Sequence, residues 1–159
     1  MYLVNFLMYQ QEIISSTTDE TFGIGGCIGA SLSGGEVILL NGGLGAGKTL
    51  LTKSIVDAFG YDIDEVTSPS FTLVNLYKTE QFDVYHIDLW RLDGKMDAAA
   101  AVGLDEIVEN ENAVTIIEWA DRLGSFSFSN PVIRVNIKGD GDEPRVITIE
   151  SVAELNLKM

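Results

Sequence analysis

Apolar and polar positions group into short runs along the chain, and these runs set the expected elements. Val37-Ile38-Leu39-Leu40 is an unbroken apolar run closed by Asn41, the pattern of a strand covered on both faces. Leu50, Leu51, Ile55, Val56 and Phe59 then recur at helical spacing, so a helix follows and stops at Gly60. Phe71 to Tyr77 and Phe82 to Leu89 read as two strands around the polar turn Lys78 to Gln81, a hairpin. Val114-Thr115-Ile116-Ile117 is a further buried strand, ending in Glu118-Trp119. After Pro131, the runs Val132, Ile133, Val135, Ile137 and Val146, Ile147, Ile149 flank Asp140-Gly141-Asp142, a closing hairpin.

Helix signals lie between these strands. Thr17-Thr18-Asp19-Glu20-Thr21 supplies an N-cap and an acidic first turn for a helix from about Asp19 to Leu32. Glycines at 23, 25, 26 and 29 weaken it by about 1 kcal/mol each against Ala, so tight packing of a small-residue face has to hold it. Asp97 to Val102 suits a short helix, and Asp62 to Glu65 reads as a solvated acidic connection. At 159 residues, with no repeat and no linker composition, the chain is expected to form one α/β domain from residue 1 to 159, a central mixed sheet flanked by helices.

Candidate chemistry sits between the first apolar run and its helix. Gly42-Gly43-Leu44-Gly45-Ala46-Gly47-Lys48-Thr49 fits G-x-x-x-x-G-K-[ST], the phosphate-binding loop, with the strand before and the helix after that the mechanism requires. The fold expected is therefore that of P-loop NTPases. Glycines at 42, 45 and 47 are read as positions of positive φ that bring backbone N–H groups onto phosphate, and the helix dipole adds to the same field. Lys48 is expected to reach the β- and γ-phosphates, and the Thr49 hydroxyl to bind Mg2+.

A phosphate loop needs carboxylates at neighbouring strand tips. Glu118, after four apolar residues, stands where a Walker B acid belongs and is expected to ligate Mg2+ directly or through water. Asp88, after Val84-Tyr85-His86-Ile87, is the second such acid, suited to orient the attacking water or to hold metal; an ion pair with Arg91 is the rival reading. His86 alternates with apolar neighbours and reads as a hydrogen-bonded structural histidine. Thr67, Ser68 and Ser70 either follow the γ-phosphate or simply form a turn around Pro69. N-K-x-D is absent and Asp121-Arg122-Leu123-Gly124 is a short pattern that recurs by chance, so ATP is favoured over GTP.

Charge and composition narrow the partners. Asp+Glu 24 against Lys+Arg 10 gives a net charge of −14, the wrong sign for a surface that grips RNA or DNA. The lone Cys27 has no partner for an internal disulfide, no Cys/His cluster suggests zinc, and Cys27 is expected to be a small buried residue. Met1 to Met8 is apolar but too short to span a bilayer and lacks a basic region and cleavage site, so a cytoplasmic protein is expected.

These motifs together resemble the TsaE family, also called YjeE, of bacterial tRNA threonylcarbamoyladenosine biosynthesis ATPases. The matching stretches are the phosphate loop, Ser68-Pro69-Ser70-Phe71-Thr72-Leu73-Val74, Val84-Tyr85-His86-Ile87-Asp88-Leu89-Trp90-Arg91-Leu92 and Ile117-Glu118-Trp119. Departures are Gly43 where the family has an acidic residue, Ser70 where it has Thr and Trp90 where it has Tyr. The resemblance implies an ATPase working with TsaB and TsaD, where TsaD transfers the threonylcarbamoyl group to adenosine 37 of tRNAs decoding ANN codons. It implies catalytic roles for Lys48, Asp88 and Glu118, Mg2+ at Thr49 and Glu118, and ATP held by Gly42, Leu44, Gly45, Ala46, Gly47, Lys48, Thr49 and Leu50. The segment around Thr18 would lie near the base, and tRNA would be met only through the partners. Two rivals stand beside it: a small-molecule kinase, though Arg91, Arg122, Arg134 and Arg145 do not cluster in sequence as a lid, and a non-catalytic nucleotide-sensing adaptor.

Overall fold

The computed structural model describes residues 8–157, and the apolar leader lies outside them except for Met8. Among the described residues the strands are β1 (Tyr9–Ser15), β2 (Val37–Gly42), β3 (Val74–Lys78), β4 (Asp83–Asp88), β5 (Ala113–Glu118), β6 (Val132–Lys138) and β7 (Arg145–Ser151). The helices are α1 (Thr18–Ala30), α2 (Lys48–Asp57), α3 (Ala98–Val102) and α4 (Leu104–Val108), with single 3-10 turns at Ile63–Glu65 and Ala120–Leu123. One mixed sheet runs in the order β1-β7-β6-β2-β5-β4-β3.

The most apolar runs occupy the middle of this sheet because only there is a strand covered on both faces. β2 lies parallel between β5 and β6, and β4 is parallel to β5. Val37 to Leu40 and all of β5 are buried. One face carries α1 and α2 over Ile38, Leu40, Ile116, Val135 and Ile147; the other carries α3 and α4 over Val37, Leu39, Ile87 and Ile117. The parallel core points the ends of β2, β4 and β5 the same way, and register sets Leu40 and Asp88 on either side of Glu118. Ligand sites of open α/β sheets form at such an edge.

Both expected hairpins are present, as antiparallel β3–β4 and β6–β7. The expected strand from Phe71 begins only at Val74: Leu73 takes a positive φ of 65° and its N–H bonds to the Pro69 carbonyl at 2.8 Å, which turns the preceding residues out of the sheet. Phe71 is in consequence 84% exposed. Polar, largely exposed β1 has no periodic signal of its own; pairing with β7 along Tyr9–Ser15 makes it a strand.

The glycine-rich α1 forms because α2 lies hard against it. A Cβ on Gly25 would come within 2.7 Å of Ser54 Cβ, and one on Gly29 within 2.7 Å of Ala58 Cβ. Thr17 caps the helix by accepting from Glu20 N–H at 3.1 Å, while Glu20 accepts from Ser16 N–H at 2.6 Å. Cys27 on this helix is half-buried, where full burial was expected, because it lies off the glycine face pressed on α2.

Candidate functional site

The loop between β2 and α2 is shaped by its glycines in two different ways. Gly45 and Gly47 take positive φ, 75° and 114°, as expected. Gly42 does not. A Cβ there would lie 2.9 Å from the Ile137 carbonyl and 3.0 Å from Ala46 Cβ, so glycine is required by the close approach of β6 and the loop. Gly43 is required by neither, since a Cβ on it would meet nothing within 4 Å. Gly47 caps α2 without a side chain, and helix geometry leaves the amides of the first turn without intrahelical acceptors. Those amides can turn to an anion.

Lys48 heads α2 yet is only 5% exposed. Its Nζ donates to the Gly42 and Gly43 carbonyls at 2.7 and 2.8 Å and stands 3.8 Å from the centroid of the Trp119 ring. Burial lowers its pKa from the ordinary 10.5, opposed by the charges of Glu118, Asp88 and Asp121. Trp119 presents that ring because the residue after β5 turns into the left-handed region, φ 57°. A bulky residue there is strained by about 1–3 kcal/mol, a feature that clusters at functional sites.

Glu118 is 2% exposed and fixed by three side chains. Thr49 Oγ1 donates to Oε2 at 3.1 Å, Thr52 Oγ1 to Oε1 at 3.2 Å, and His86 Nε2 lies 2.7 Å from Oε1. Asp88 accepts from the Ser68 hydroxyl at 2.8 Å and from the Trp90 N–H at 2.9 Å. Its partners are therefore not Arg91, which lies instead over the Phe71 ring at 4.4 Å. Ser68 and Ser70 share a cleft of about 330 Å3 with Leu44, Lys48, Thr49, Asp88 and Glu118. Thr67 turns its backbone to Tyr77, whose hydroxyl donates to the Thr67 carbonyl at 2.9 Å.

On the other side of the loop, Thr18, Gly45, Ala46, Gly47 and Leu50 line a second cleft of about 260 Å3 with Asp142 and Arg145. Gly42 sits beneath the loop and contributes its carbonyl to Lys48. Apart from Gly42, the residues expected from the sequence to hold the nucleotide thus border two clefts separated by one phosphate loop. Thr49 and Glu118 offer paired hard oxygens, the donor chemistry of Mg2+, which takes one or two protein ligands and completes its shell with water and phosphate. Among the described residues no group of three or more His, Cys, Asp and Glu could hold a metal alone.

A family model described as "Threonylcarbamoyl adenosine biosynthesis protein TsaE" matches residues 15–147. The chain belongs to the TsaE family. Within it, a Rickettsia bellii protein named tRNA threonylcarbamoyladenosine biosynthesis protein TsaE is 32% identical over 142 residues, 89% of this chain and 96% of the relative. The Bacillus subtilis protein of the same name is 33% identical, covering 84% and 81%. The crystal structure of Bacillus subtilis YdiB superposes with a TM-score of 0.73 at 28% identity, covering 92% of this chain and 88% of that one. The TsaE fold seen here is that of a P-loop NTPase.

Three features of this TsaE-family site escaped the sequence. Thr52 follows Lys48 by one helical turn, a spacing that could have flagged it. Arg145 reaches from the start of β7 to the Ala46 and Gly45 carbonyls at 3.0 and 3.2 Å. Arg122 donates to the Leu89, Trp90 and Leu92 carbonyls and lies 5.1 Å from the centroids of both Trp90 and Trp119. Neither arginine carried a local signal for these contacts, because the carbonyls of the phosphate loop and of residues 89 to 92 are distant in sequence, although Arg145 also donates to the nearby Glu143 and Gly141 carbonyls. Among the described residues no helix is long and apolar enough to cross a membrane.

Proposed function

We propose that this chain is an Mg2+-dependent ATPase that supports threonylcarbamoyladenosine formation at adenosine 37 of tRNA, acting in the cytoplasm in complex with TsaB and TsaD. The observation that carries the reading is the meeting of Thr49 and Glu118 at 3.1 Å, beside Lys48 and across one cleft from Asp88 and Ser68. Membership of the TsaE family supplies the biosynthetic context.

In this mechanism the phosphate loop from Gly42 to Thr49 cradles the phosphates with backbone N–H groups, and Lys48 leaves the Gly42 and Gly43 carbonyls to meet the β- and γ-phosphates. The Thr49 hydroxyl and the Glu118 carboxylate would hold Mg2+, whose positive charge would offset the charge that builds up on the phosphate oxygens. Asp88, steadied by Ser68 and the Trp90 N–H, accepts a hydrogen bond from the water that attacks the γ-phosphorus as the bond to the bridging oxygen breaks. Thr18 and Leu50 border the cleft suited to the nucleoside. Arg122 and Arg145 are occupied by backbone carbonyls, which favours an ATPase over a kinase closing an arginine lid.

The test is ATP hydrolysis by the purified chain, alone and with TsaB and TsaD of the same organism. Stimulation by the pair is expected, and Lys48→Ala is expected to lower the stimulated rate about 100-fold or more. If the partners neither bind nor stimulate, the assembly reading is lost. A Glu118→Ala variant that binds ATP and still supports modification in cells would replace it with the nucleotide-sensing adaptor.

A further inference from the structure

His86 is 0% exposed, yet it touches the candidate metal carboxylate. An ionised carboxylate only accepts hydrogen bonds, so Nε2 carries the hydrogen it shares with Glu118 Oε1. The other ring nitrogen, Nδ1, lies 3.2 Å from the Tyr77 hydroxyl, which also bonds the Thr67 carbonyl. Thr67 precedes Ser68, the residue that holds Asp88. Tyr77 has one hydroxyl hydrogen, so a continuous path from the loop beside the cleft to Glu118 forms when that hydrogen turns from the Thr67 carbonyl to Nδ1 while the Thr67 N–H donates to the hydroxyl oxygen at 3.3 Å.

The two oxygens of Glu118 are not equivalent. Oε1 meets His86 Nε2 and Thr52 Oγ1, both from residues 0% exposed. Oε2 meets Thr49 Oγ1, the hydroxyl on the cleft side. Thr52 divides its one hydrogen between Oε1 and the Lys48 carbonyl, at 3.2 and 3.1 Å, so the shorter bond from His86 is the main restraint on rotation of the carboxylate about its last torsion, and it leaves the second oxygen beside Thr49.

Building on the Mg2+-nucleotide reading above, we infer that His86 is a positioning residue: with Thr52 it pins Glu118 Oε1 so that Oε2 is presented to the metal. Through Tyr77 the same imidazole ties this orientation to the Thr67–Ser68 loop. Outer partners of ligating carboxylates act in this way, and their loss lowers metal affinity about 10- to 100-fold.

Glutamine and asparagine separate this role from simple packing, because a Gln amide nitrogen stands near the place of Nε2 and an Asn nitrogen near that of Nδ1. The measurement is the affinity of purified full-length chains for a non-hydrolysable ATP analogue, by calorimetry, with Mg2+ and with EDTA. In His86→Asn the gain in affinity from Mg2+ should shrink about 10- to 100-fold while affinity in EDTA is unchanged, and His86→Gln should restore the gain. A wild-type gain in His86→Asn, or an equal loss with and without Mg2+, would overturn the inference. Should His86→Asn fail to fold, Tyr77→Phe decides: a reduced Mg2+ gain supports the path and an unchanged gain overturns it. A wild-type chain whose binding ignores Mg2+ altogether would sink the metal reading itself, and this inference with it.

Discussion

The Lys48 ammonium is surrounded by two carbonyls and an indole face at 5% exposure, and this makes its charge sensitive to alkaline pH. Burial sets its pKa below 10.5 in the free protein. Phosphate favours the charged amine, so nucleotide binding raises that pKa again. Affinity is therefore full below the free protein's value and falls as pH rises through it towards the higher value of the bound state. Titration calorimetry at increasing pH should show this fall, and Lys48→Arg, which keeps its charge, should flatten it even if its neutral-pH affinity is lower. Gly42 yields a second prediction at this scale. Gly42→Ala should cost about 1–3 kcal/mol in urea unfolding, since the new methyl meets the Ile137 carbonyl and Ala46, both held by the sheet and loop. The motif led to an expected positive φ at Gly42, whereas close approach is what requires glycine there, because periodicity does not report how near a neighbouring strand passes.

At the level of elements, α1 and α2 behave as one packed pair. Their contact rests on Gly25 and Gly29, where an added methyl would come within 2.7 Å of α2 side chains. Gly29→Ala should destabilise the protein by about 1–3 kcal/mol in spite of a helix-propensity gain of about 1 kcal/mol. Gly23→Ala, on the exposed face with nothing within 4 Å, should instead stabilise by up to about 1 kcal/mol. Denaturant midpoints of the two variants moving in the same direction would refute this account of the interface. β1 shows the opposite relation between pattern and structure. Its residues Gln10, Gln11 and Glu12 are exposed and carry no strand signal, yet register against β7 carries the chain to Ser15, whose hydroxyl lies 2.7 Å from that of Thr21. That pairing sets Ser16, Thr17 and Thr18 against the phosphate loop.

For the molecule as a whole, the net charge of −14 opposes unaided contact with a polyanion. The isolated chain should show no retardation of tRNA in gels at physiological salt, and association should appear only when the proposed partners are added. Strong tRNA binding by the chain alone would move the RNA-gripping role onto this protein.

The sequence by itself determined the sheet core and the helices α1, α2 and α3, since unbroken apolar runs and helical spacing each admit few solutions, while α4 was not foreseen. It also determined the phosphate loop, whose glycines and Lys48-Thr49 are contiguous, and it singled out Asp88 and Glu118 as acids closing apolar strands. Only the tertiary structure decided which groups meet them: His86 and Thr52 on Glu118, Ser68 on Asp88, Trp119 against Lys48, and Arg145 on the loop. The difference is physical. Local periodicity records which face of an element is buried, while strand order and register, set by the packing of the whole chain, determine which buried polar groups come within hydrogen-bonding distance.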